Sequence, residues 1–78
     1  MSEVFEKCLK GLVRNRNKPD LHSAMCYFKS GTVAYIYVEC DKTLTVILRD
    51  KEDTILNCNS VAEVVNFFGS DELVRFET

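Results

Sequence analysis

Little in this chain punctuates it, and what is missing narrows its chemistry before any motif is read. Tryptophan is absent, proline and histidine occur once each, and glycine occurs three times. No two cysteines form a C-x-x-C pair, so the close ligand spacing of a zinc knuckle or a thioredoxin-type redox site is missing. Cys8, Cys26, Cys40 and Cys58 lie 18, 14 and 18 positions apart; this scatter suits reduced, partly buried small hydrophobes. No apolar run is long enough to span a bilayer, and no Gly-rich loop offers itself to phosphate. The opening M-S-E-V-F-E-K lacks a charged-then-apolar leader, which predicts a cytoplasmic protein without a secretion signal. No cofactor, metal, membrane or small-molecule substrate is expected.

What is there describes one small globular domain over residues 1–78. Hydrophobic residues make up 46% and charged residues 28%, outside the disordered range. A single core of this size gives a modest stability margin. The net charge of −2 conceals an asymmetry: residues 1–38 carry six Lys/Arg against three Asp/Glu, a balance of +3, and residues 39–78 carry four against nine, a balance of −5. Such polarisation can produce a basic and an acidic patch.

The residue pattern predicts α+β. Phe5, Cys8, Leu9 and Leu12 recur at i, i+3, i+4, i+7, with Val4 and Val13 flanking, so Glu3–Arg14 reads as an amphipathic helix. Ser2 is its candidate N-cap, and Gly11 weakens it. Residues 15–20, N-R-N-K-P-D, read as a loop stopped by Pro19. Residues 21–28 alternate as a strand, although Asp20 could equally cap a short helix; strand is favoured because Lys29-Ser30-Gly31 makes a hairpin turn into the next segment. Asp41-Lys42 forms another tight turn. Residues 43–49 alternate, residues 50–53 form a charged turn, and Thr54–Cys58 is a short strand. Ser60 and Glu63 form a capping box for a helix with Val61, Val64, Val65 and Phe68 on one stripe, ended by Gly69. Leu73–Glu77 is an edge strand or a last helical turn. The expected order is α-β-β-β-β-α with a possible final edge strand: an antiparallel meander of three to four strands with both helices on one face.

The strongest strand signal is residues 32–40, T-V-A-Y-I-Y-V-E-C, and it is apolar on both sides. Ala34, Ile36, Val38 and Cys40 fall on one side, and Val33, Tyr35 and Tyr37 on the other. A small domain buries one sheet face easily and two with difficulty. The second face, with Val33, Tyr35, Tyr37, Ile47 and Tyr27, is therefore the candidate protein interface, and a symmetric homodimer is its simplest form.

Three other candidates compete with it. Lys7, Lys10, Arg14, Arg16 and Lys18 form a basic segment able to contact phosphates; a nucleic-acid-binding protein using Lys10, Arg14, Arg16 and Lys18 is the alternative reading. The α-β-β-β-α order resembles double-stranded RNA-binding domains in topology alone. Those domains begin their second helix with lysines, and here it begins Ser60-Val61-Ala62-Glu63, so the residues that would carry RNA binding are missing. Glu39, Asp41, Asp50, Glu52, Asp53, Asp71, Glu72 and Glu77 cluster at strand ends and turns, where a basic partner could meet them. His22 and Cys26 would meet only on a helix; on a strand they are too far apart for a nucleophile–base pair. The expectation is a non-enzymatic protein-interaction module, a stoichiometric inhibitor or adaptor of a larger complex. A bacterial or phage accessory protein is the type its size suggests.

Overall fold

The computed structural model describes residues 3–15, 22–49 and 54–78. Its elements run α1 (Glu3–Arg14), β1 (Ser23–Phe28), β2 (Val33–Val38), β3 (Leu44–Leu48), β4 (Thr54–Cys58), α2 (Val61–Phe68) and β5 (Leu73–Glu77). The five strands form one antiparallel sheet in the order β4-β3-β2-β1-β5. This is an α+β fold: a four-strand meander, then a last strand that returns to the far edge beside β1. Residues 21–28 form a strand from Ser23, and Leu73–Glu77 is a strand too.

Local chemistry accounts for the turns. Gly31 sits at φ 98°, where a side chain is disfavoured, and its N–H donates to the Phe28 carbonyl at 2.9 Å, closing the first hairpin. At the second hairpin Asp41 accepts from the Thr43 hydroxyl at 2.7 Å and the Thr43 N–H at 3.1 Å. These bonds hold its carboxyl below the usual aspartate range. Ser60 caps α2, accepting from the Glu63 N–H at 3.3 Å. The other end of α2 stops at Gly69, whose N–H donates to the Val65 carbonyl. The turn expected at residues 50–53, most of the 15–20 loop and the Ser2 cap lie outside the described residues.

Both helices pack on the same side of the sheet. Phe5, Leu9 and Leu12 of α1 and Val64 and Phe68 of α2 share one core with Ala24, Cys26, Phe28, Ala34, Ile36, Val38, Leu44, Val46 and Cys58. Phe5 meets Phe28 edge-on at 5.2 Å, and Phe28 stacks on Phe68 at 4.3 Å. These rings tie α1, β1 and α2 together, and such pairs add about 1 kcal/mol beyond burial. The Ser30 hydroxyl and the Asp71 carboxylate, 2.6 Å apart, fasten the first hairpin to the loop entering β5.

One sequence expectation needs correction. The central strand ends at Val38, so Cys40 does not continue its inner row; it lies in the turn and is exposed. The reason is the Asp41-Lys42 turn, which begins once the Glu39 N–H has bonded the Thr43 carbonyl. Val4, at the edge of the buried stripe of α1, is 66% exposed.

Candidate protein interface on the open sheet face

The register places the outward residues in rows that cross the sheet. One row runs Ile55, Ile47, Tyr35, Met25, Glu77 across β4, β3, β2, β1 and β5. The next row on one side runs Asn57, Thr45, Tyr37, Ser23. On the other side Val33 pairs with Tyr27 and Tyr27 with Arg75, and the Arg49 N–H donates to the Val33 carbonyl. α1 and α2 lie on the opposite side, so neither covers these rows.

The interface residues expected from the sequence (Tyr27, Val33, Tyr35, Tyr37 and Ile47) therefore come together on one face, and all are half-buried. Tyr35 and Tyr37 lean on each other at 5.7 Å. Tyr27 lies under the Arg75 guanidinium, 5.6 Å from its ring centre, and Arg75 pairs with Glu77. Met25, Tyr35, Ile47 and Arg49 line a shallow hollow of about 400 Å³. Ile55, at the β4 edge, is 61% exposed.

Met25, Ile55 and Arg49 are among the members of this face outside the sequence-based set. A period-2 reading puts Met25 opposite Cys26, but only the register shows that it shares a row with Tyr35 and Ile47. Thr45, on the same face, is 4% exposed. Its hydroxyl donates to Glu39 Oε2 at 2.8 Å and lies 3.2 Å from Asn57 Oδ1, which satisfies the buried polar group.

The basic segment and the His22–Cys26 pair do not form a site among the described residues. Lys10 is paired with Glu6 at 3.2 Å, a surface contact of the i, i+4 kind worth little. Arg14 is exposed on α1, on the far side of the sheet from the tyrosines. Arg16 and Lys18 lie outside the described residues. Cys26 is fully buried in the core, and burial, with a smaller push from the nearby Cys8 thiol, raises its pKa to about 12. A thiol so firmly protonated is a poor nucleophile, which separates it from any chemistry with His22. Among the described residues no three His, Cys, Asp or Glu side chains gather as metal ligands would, and no helix is long and apolar enough to cross a membrane. Comparison with protein families, curated proteins and solved structures finds no match to this chain.

Proposed function

We propose that this chain is a non-enzymatic protein-binding module that acts stoichiometrically, docking a protein on its open sheet face. The observation that carries the reading is the row Ile55–Ile47–Tyr35–Met25, an apolar band across four strands with both helices on the other side. A sheet face that only needed solvation would alternate polar residues here. Aromatic and aliphatic side chains with a few flanking charges are what protein interfaces concentrate at their centres. A module of this kind works by occupying or bridging its partner, as an inhibitor or an adaptor.

The test is capture from lysate of cells that make the chain, with and without nuclease, using the wild type and the Tyr35→Ala and Ile47→Asp variants as bait. The expected outcome is a protein recovered by the wild type and lost from both variants, with their thermal melts unchanged. Equal recovery by the face variants overturns the reading. Recovery that depends on intact nucleic acid overturns it too, and moves attention to Arg14 and the residues after it.

A further inference from the structure

The open face is electrically polarised along its strands. The outward residues of β3 and its flanks run Thr43, Thr45, Ile47, Arg49; those of β2 run Glu39, Tyr37, Tyr35, Val33. Arg49 and Glu39 thus stand at opposite ends of the face, about 20 Å apart at ~3.4 Å of strand rise per residue. That exceeds the reach of an arginine, so the two cannot pair within one copy. The other charged pair on the face, Arg75 and Glu77, neutralises itself. The acidic end is also concave: Glu39, Cys40, Asp41, Thr43 and Asn57 line a hollow of about 430 Å³. Thr45 holds the Glu39 carboxylate in place there, and Thr43 holds that of Asp41.

Resting on the open-face reading above, we infer that the protein docked there is a second copy of this chain, packed sheet to sheet with strands antiparallel, so that Arg49 of each copy enters the Glu39–Asp41 hollow of the other. Charge complementarity selects both the occupant and its orientation. Among the described residues the face carries Arg49 at one end and Glu39 with Asp41 at the other, outside the Arg75–Glu77 pair, so its two ends are complementary to each other. Two sheets face to face are related by a two-fold axis lying between them. An axis parallel to the strands sets the middle strand, β2, over itself in the same direction, bringing Glu39 against Glu39. An axis across the strands keeps each strand over its own copy and reverses its direction. Arg49 of β3 then lies over Thr43 of the other copy, on the floor of the acidic hollow. The same operation lays Ile47 over Thr45 and Tyr35 over Tyr37, at the spacing of about 10 Å at which sheets pack. All five strands cross that axis, and β2 and β3, which hold the charges, are the middle strand of the sheet and its neighbour.

Sedimentation equilibrium on the purified chain, up to about 1 mM to populate a small interface, reads the result. The expected outcome is a mass rising with concentration from 8.9 kDa toward twice that value, less steeply at high salt. Arg49→Glu and Glu39→Arg should each weaken self-association about ten-fold or more, because each creates a like-charge contact twice over. Mixing the two variants should restore it. The introduced carboxylate at position 49 then meets the introduced guanidinium at position 39 at one contact, while the native pair forms at the other. Asp41→Lys replaces Glu39→Arg if the latter loses its cooperative melt. A wild type that stays monomeric, a dimer indifferent to both charge variants, or a mixture that fails to recover overturns the inference. A monomeric wild type that still captures a different protein through Tyr35 and Ile47 overturns this inference alone and leaves the open-face reading standing. A dimer untouched by Ile47→Asp, together with face-independent capture, removes both.

Discussion

Gly11 lies inside α1 with open space where a Cβ would go; no heavy atom outside the helix's own backbone comes within 4 Å. Its flexibility is therefore a cost without a packing return. Gly11→Ala should stabilise the domain by about 1 kcal/mol, read as a rise in Tm of roughly 4–8 °C. The cysteines separate just as sharply. Cys26 and Cys58 are buried and Cys40 is exposed. Burial raises the pKa of both buried thiols, with Glu63 adding to the shift at Cys58. A thiol reagent added to native protein should label Cys40 promptly and reach Cys26 and Cys58 only on unfolding. The same shift has a stability consequence. The folded pKa of Cys26 is about 12 against 9.0 as the ordinary value, so its contribution is whole below pH 9.0 and is lost as pH climbs toward 12. Urea midpoints should fall across that window, and more shallowly in Cys26→Ala.

At the scale of elements, α2 depends on its ends and its neighbours. Eight residues are too few for an independent helix, so the Ser60 cap and the buried Val64 and Phe68 hold it. Ser60→Ala should cost about 1 kcal/mol and Ser60→Asp much less, measured by denaturant melts followed by circular dichroism. This helix was legible in the sequence because cap, stripe and Gly69 stop all agreed. α1 was legible through the stripe of Phe5, Leu9 and Leu12. Residues 21–28 were ambiguous because six alternating residues also fit a short helix. The Phe28 N–H to Thr32 carbonyl bond and pairing with β2 resolve them as strand, a decision made by the neighbour rather than by local propensity.

For the whole molecule, the two faces of one sheet divide the labour. One face carries the core and both helices; the other carries the tyrosines, Met25, Ile47 and Ile55. The capture and self-association experiments both depend on that division, since changes on the open face should leave the melt intact while changes in the core should not. The sequence by itself determined both helices, the strands β2, β3 and β4, the two-sided character of β2 and the outward side of Val33, Tyr35, Tyr37 and Ile47, because strand periodicity is a local property with a period of two; it left residues 21–28 and Leu73–Glu77 open between strand and helix. Only the tertiary structure decided that β5 lies beside β1, that Met25 and Ile55 complete the apolar row, that Cys40 leaves the core for a turn, and that Arg49 faces the same way as Glu39 from the far end. Each of these is a matter of register and strand order, which depend on contacts between residues distant in the chain and leave no mark on the spacing of residues within it.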